Sequence, residues 1–176
     1  KIQKNNGDFL MIDEATNVVH GKSSEGYKYL KDDWFFKFHF PGDPNMPGML
    51  QIESLMQMAS LAILAIPENN KKILYVVKAD RLLFKKKVLN NQSLFLKTKI
   101  INWSRGYIKA EGEGFIDNEL ACSAKFDFIL RELMPVSRKA NRNMVIFNYI
   151  INKYLLEDYN ENTFHTKYLI SGYPFN

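Results

Sequence analysis

Between Gly48 and Ile66 apolar residues fall on every face of a helical projection, and Glu53 is the only charge in nineteen positions. A helix lying on a surface keeps a polar stripe, so this segment is predicted to be a long helix wrapped by other structure. After it come "ILYVVKA", "RLLFKKKVL", "SLFLKTKIINWS", "GYIKAEGEGFID" and "LACSAKFDFILRE". Each is short, rich in β-branched and aromatic residues and mostly alternating, and Asn, Gly or Asp turns separate them, which predicts a run of strands. Upstream, "DFLMID" is a short apolar run, residues 14–31 predict two short strands, and residues 34–40 continue as an aromatic strand. "PGDPNMPG" interrupts the pattern, because three prolines remove donors and fix φ, so an ordered loop is expected there. Pro47 and Gly48 then sit where the helix begins, proline being well suited to a first helical position. One buried helix followed by strands is most economically an α+β domain in which an antiparallel sheet curls around a central helix.

From Pro135 the character changes. "PVSRKANRN" reads as a basic linker, "MVIFNYIINKYLLEDY" as an amphipathic helix and "NENTFHTKYLISGYPFN" as an aromatic tail. The expected division is a domain over 1–134 and an extension over 135–176. At about forty residues the extension is too short for a core of its own, so it is expected to dock on the domain or on a neighbouring subunit.

Composition narrows the class. The 176 residues suit one domain, and 46% hydrophobic with 14% aromatic content excludes a disordered or fibrous chain. Cys122 is the sole cysteine, so no internal disulfide and no cysteine-based metal site can form, and a reducing cytoplasm fits best. The apolar run is broken by glutamate, glutamines and serines, which favours a buried helix over a membrane span. The amino terminus does not show the order of a secretory signal, so a soluble protein is expected. The net charge of +5 is concentrated in runs such as Lys85–Lys86–Lys87. No zinc-finger, helix-turn-helix or RNA-recognition pattern accompanies them, so they read as solvated faces or as a surface for an acidic protein rather than for nucleic acid.

The chemistry gathers around residues 39–57. Burying a charged carboxylate in an apolar helix costs several kcal/mol, so Glu53 must be paired, protonated or facing a polar cavity. Gln57 lies one turn on, where its amide can orient the carboxyl group. A helix starting at Gly48 presents free N–H groups and a positive dipole end, and glycine lets a ligand come close to them. Alone, His39 reads first as a structural histidine hydrogen-bonded in a strand. Together with a carboxyl group and an oxyanion-type donor, it points to acid/base chemistry beside a carbonyl, needing neither metal nor organic cofactor.

The stretch "HFPGDPNMPGMLQIESLMQ" resembles the signature of the 3-hydroxyacyl-acyl carrier protein dehydratases of the FabZ type, in the order and spacing of His39, the "FPG" turn, Pro44, the "MPG" of residues 46–48, Glu53 and Gln57. Looser similarity runs from "FLMIDEATNVVHGKS" through "ADRLLFKKKV" to about residue 131. The resemblance implies a hot dog fold, a homodimer with active sites at its interface, and a site whose His39 and Glu53 come from different subunits. Three such dimers joining as a hexamer is a further expectation it carries. His39 is implied as the base at C2, the Gly48 N–H as the donor to the thioester carbonyl, Glu53 as the acid at the C3 hydroxyl and Gln57 as its support. Acyl carrier proteins are acidic, which makes Arg81, Lys85, Lys86 and Lys87 candidate docking residues. Related dehydratase/isomerases carry aspartate at the acid position, so Glu53 favours dehydration alone.

Departures from the pattern are also visible. "FKKKVLNNQ" has Asn90 and Asn91 where the family has a Pro-Gly turn, and asparagine can supply that turn. "KNNGDF" replaces an early "PHRYPF", and the extension from Pro135 has no counterpart. A hot dog thioesterase shares the fold and substrate class but does not account for His39, the "MPG" turn and Glu53 together. A non-catalytic acyl-binding or regulatory hot dog protein is the remaining alternative.

Overall fold

The computed structural model describes residues 9–69 and 72–132, together with the backbone of Tyr168–Leu169. Six strands and one long helix make up the domain: β1 (Glu14–Val19), β2 (Ser23–Tyr29), α1 (Gly48–Leu64), β3 (Lys72–Phe84), β4 (Ser93–Ser104), β5 (Tyr107–Ile116) and β6 (Glu119–Glu132). A two-residue strand, β7 (Tyr168–Leu169), lies beside β1. The strands form one antiparallel sheet in the order β3-β6-β5-β4-β2-β1-β7. This is the hot dog arrangement of sheet around helix. Of the expected extension over 135–176, only β7 falls within the described residues; the linker and amphipathic helix lie outside them.

Alternation explains which face of the sheet meets the helix. On β5, Ile108, Ala110, Gly112, Gly114 and Ile116 point inward while Lys109, Glu111 and Glu113 point out. Leu94 and Leu96 on β4 and Phe126, Phe128 and Leu130 on β6 complete the lining. Against it packs the C-terminal half of α1, from Met58 to Leu64, with every residue buried. Two further ties fix the helix on β2 and the turn before it: the Ser24 hydroxyl donates to the Met58 carbonyl at 2.6 Å and the Gly21 N–H to the Ala62 carbonyl at 2.7 Å. The N-terminal turns are different. Met49 is 60% exposed, and Leu50, Glu53, Met56 and Gln57 are half-buried, so the expected full wrapping holds for the second half of the helix only. The methionines divide the same way, Met46 and Met58 in the core and Met49 in the open.

Two expectations are corrected. Residues 34–40 are not a strand: Trp34–Lys37 form a single-turn 3-10 helix, which buries Phe35 and leaves Trp34 and Phe38 exposed. The aromatic content mimicked a strand, but Phe35 and the adjacent Phe36 both pack on the core, which is not a period of two. "ILYVVKA" and "RLLFKKKVL" are not separate strands either; β3 runs through the first and on into "RLLF", ending at Phe84, with its register shifting between Asp80 and Leu83. Arg81 takes a left-handed φ of 51° there, so Asp80–Arg81 marks a bulge rather than a turn. The Asn-Asn turn does form. Asn91 is left-handed, with φ of 61°, and Asn90 Oδ1 accepts the Asp32 N–H at 2.9 Å.

Gly26 marks where the sheet is tightest. A Cβ at that position would lie 1.9 Å from the Glu14 carbonyl oxygen and 2.7 Å from the Met58 methyl, so backbone and core resist it together. Gly26→Ala is expected to lower the unfolding free energy by about 3 kcal/mol in chemical denaturation, and a loss below about 1 kcal/mol would contradict this packing.

Candidate active site

His39 is held by what surrounds the short helix before it. Phe35 is buried, and its carbonyl accepts the N–H groups of Phe38 at 3.1 Å and His39 at 2.9 Å. The Pro-Gly loop then folds back: the Asn45 N–H donates to the His39 carbonyl at 2.8 Å, and His39 Nδ1 lies 3.0 Å from the Asn45 carbonyl. A carbonyl only accepts, so Nδ1 carries a proton, and Nε2 is the ring nitrogen left outside that bond. The half-buried imidazole lies against the exposed Phe40 ring, with centroids 4.0 Å apart.

The same loop launches the helix. Met46 N–H donates to the Val88 carbonyl at 2.8 Å, and Gln51 Nε2 donates to the Met46 carbonyl at 3.1 Å, which pins the chain just before Pro47. α1 starts at Gly48, with Pro47 preceding it and no side-chain cap. The Leu50 and Gln51 N–H groups turn back to the Pro47 carbonyl, whereas the N–H groups ahead of them have no acceptor within a helix. A Cβ on Gly48 would come within 2.8–3.1 Å of three Phe84 ring carbons. Phe84, the last residue of β3, thus walls the helix start, and a larger residue at position 48 would have to displace its ring.

Glu53 lies in the second turn of α1. Gln57 Nε2 donates to Glu53 Oε1 at 2.8 Å and to the Phe9 carbonyl at 2.9 Å, while the Met11 N–H donates to Gln57 Oε1 at 2.9 Å. Because Oε1 must face an N–H, the amide can present only its NH₂ to the carboxyl group. The expected support from Gln57 is in place, and the segment Phe9–Met11 sets its orientation. His39 and Glu53 are therefore held by different frames, and among the described residues no hydrogen bond or ion pair joins them.

The basic candidates do not form one patch. Lys86 pairs with Glu119 at 2.8 Å and Lys87 with Asp43 of the His39 loop at 2.5 Å, while Lys85 is exposed. Arg81 faces the outer surface of the sheet with Lys97, Lys99 and Lys125. Sequence reasoning missed Phe9, Met11, Asn45 and Val88, which act through backbone atoms and leave no trace in residue type. Phe84 was visible only as an aromatic before the lysine run.

The FabA-like domain model matches residues 4–125. A relative from Alkaliphilus metalliredigens named 3-hydroxyacyl-[acyl-carrier-protein] dehydratase FabZ is 37% identical over 123 residues, covering 69% of this chain and 84% of the relative. One of the same name from Bacillus subtilis is 36% identical over 126 residues, covering 70% and 89%. Among solved structures, an uncharacterized protein from Pyrococcus horikoshii superposes with a TM-score of 0.54 at 18% identity, covering 75% of this chain and 92% of that one. A hypothetical thioesterase with coenzyme A from Streptococcus pneumoniae gives 0.53 at 10% identity, covering 65% and 82%. At such identities the structural likeness speaks for the fold alone.

Gln57→Leu leaves the buried Met11 N–H without its acceptor and should lower the unfolding free energy by about 1–3 kcal/mol at fixed protein concentration. Glu53→Gln keeps an oxygen for Gln57 to donate to, so its loss should stay below about 1 kcal/mol, a difference that denaturant titration resolves.

Proposed function

Because the chain belongs to the FabA-like family, we propose that it dehydrates (3R)-3-hydroxyacyl-acyl carrier protein to the trans-2-enoyl thioester in fatty acid biosynthesis. The observation that carries the reading is the pair of held groups on one segment: an imidazole with Nδ1 on the Asn45 carbonyl, and a carboxyl group gripped by Gln57. His39 Nε2 removes a proton from C2 while the Gly48 N–H donates to the thioester carbonyl and stabilises the developing enolate. The C3–O bond breaks as Glu53 delivers its proton to the departing hydroxyl. One water leaves, and the electron pair from C2 becomes the C2–C3 double bond. His39 then returns its proton and Glu53 regains one by exchange with water. With glutamate as the acid, dehydration alone is assigned.

We further infer that each site is completed by a second copy of the chain, His39 of one facing Glu53 of the other. The separate frames of the two groups support this, as does β3. That strand is the edge of the sheet opposite β7, and Tyr75, Val76, Val77, Leu82, Leu83 and Phe84 are exposed along it. An unpaired apolar edge invites pairing with its like. Three dimers joined as a hexamer would be the larger assembly. The carrier protein is acidic, and Lys85, Lys86, Lys87 and Arg81 are proposed to steer it, with Lys85 the most available of the run. Among the described residues no helix is long and apolar enough to cross a membrane, and a reducing cytoplasm is compatible with the one buried thiol, Cys122.

Incubation with 3-hydroxybutyryl-acyl carrier protein should give the enoyl product by mass, and crotonyl thioester should be hydrated in reverse. His39→Ala and Glu53→Gln should each lower kcat by about 10²–10⁴. Acyl binding without conversion would leave a binding protein, and release of free acid would select a thioesterase.

A further inference from the structure

Lys28 is an unusual residue to find buried near the end of β2: its side chain is 7% exposed, yet it carries an ammonium group. That group lies 2.9 Å from Asp33 Oδ1 and 3.3 Å from Asp13 Oδ2, and the same Asp13 oxygen accepts the Tyr29 N–H at 2.7 Å. Burial pushes the Asp13 carboxyl above the usual carboxylate range, and the Lys28 charge pulls it back. A buried ion triad of this kind adds little net stability over an apolar replacement of similar volume. Stability therefore does not account for it, and what it connects is informative.

Asp33 immediately precedes the 3-10 helix Trp34–Lys37, and its carbonyl accepts the Phe36 N–H at 3.1 Å. Two residues after Asp33, the Phe35 carbonyl holds the His39 N–H. Asp13 ends the segment whose Phe9 carbonyl and Met11 N–H orient Gln57, and through it Glu53. The Asp13 N–H itself is tied to the Tyr27 carbonyl at 2.8 Å, next to Lys28 in β2. Two carboxylates on one ammonium thus join the frame of the base to the frame of the acid.

We propose that Lys28 is a positioning residue of the dehydratase, holding the His39 and Glu53 frames of one chain at a fixed spacing through Asp33 and Asp13. The inference rests on the dehydratase reading. With sites shared between subunits, the two frames of a chain serve different sites, and Lys28 sets the contribution of its chain to both. It touches no substrate, so its loss changes the geometry of proton transfer and leaves acyl binding largely intact. A misplacement of about 1 Å costs on the order of 10²-fold in rate.

The test starts from wild-type protein assayed on 3-hydroxybutyryl-acyl carrier protein. Lys28→Met, which keeps the stem and removes the charge, should lower kcat about 10²-fold with KM changed less than about 3-fold, and Lys28→Arg should recover most of the loss. If Lys28→Met does not fold, Asp33→Asn decides. It is isosteric, leaves the Lys28–Asp13 pair intact and should show the same split between kcat and KM. A folded Lys28→Met or Asp33→Asn protein with wild-type kcat overturns the inference, as does a loss carried entirely by KM or by the folded fraction. A wild-type protein that forms no enoyl product instead fails the dehydratase reading, and the positioning role falls with it.

Discussion

A seventeen-residue helix with a single charge can stay in water only if something covers it, and in this chain one antiparallel sheet does so. The coverage is uneven. From Met58 to Leu64 every residue of α1 is buried, while the first turns bury one side, through Gln51, Ile52, Ser54 and Leu55, and leave the other partly open. Those partly open turns carry the free N–H groups of the helix start and Glu53. The proposed site thus lies where wrapping ends, next to exposed apolar side chains on Met49 and Phe84 that a second copy of the chain can cover.

The polar groups near the site follow from the same constraint. A half-buried carboxyl group cannot rely on water alone, and Gln57 and the Phe9–Met11 backbone take over part of that role. His39 is treated similarly by the Pro-Gly loop, which closes on it from both sides through Asn45. Lysines 86 and 87, which raise the net charge on paper, are matched locally by Glu119 and Asp43. The Lys87–Asp43 pair also ties the segment after β3 to the histidine loop, alongside the Met46–Val88 backbone bond. A charge counted as a docking element therefore has a structural partner as well, at an exposed site where such pairs are worth little.

Much of this was legible in the chain. The buried helix and the strands after it follow from periodicity, and the Asn90–Asn91 turn from the tolerance of asparagine for left-handed backbone. His39, Gly48, Glu53 and Gln57 stood out because their residue types conflict with their surroundings or interrupt a pattern. What escaped has physical reasons. Residues 34–37 form a 3-10 helix in which the adjacent Phe35 and Phe36 both turn toward the core, which local aromatic content does not reveal. The Asp80–Arg81 bulge mimics a break because a positive φ at arginine has no sequence signature. Lys28 read as a polar position in an alternating strand, and only the fold brings Asp13 and Asp33 to it.

The claim that unites these features is that one chain supplies the base of one site and the acid of another. Subunits carrying His39→Ala mixed with subunits carrying Glu53→Gln test it directly, by the dehydration rate in mass-verified mixed dimers. Each mixed dimer has one intact site of two, and random assortment makes about half of the dimers mixed, so about a quarter of the wild-type rate should return in the whole mixture and about half in isolated mixed dimers. Mixed dimers as inactive as either parent would contradict the shared site.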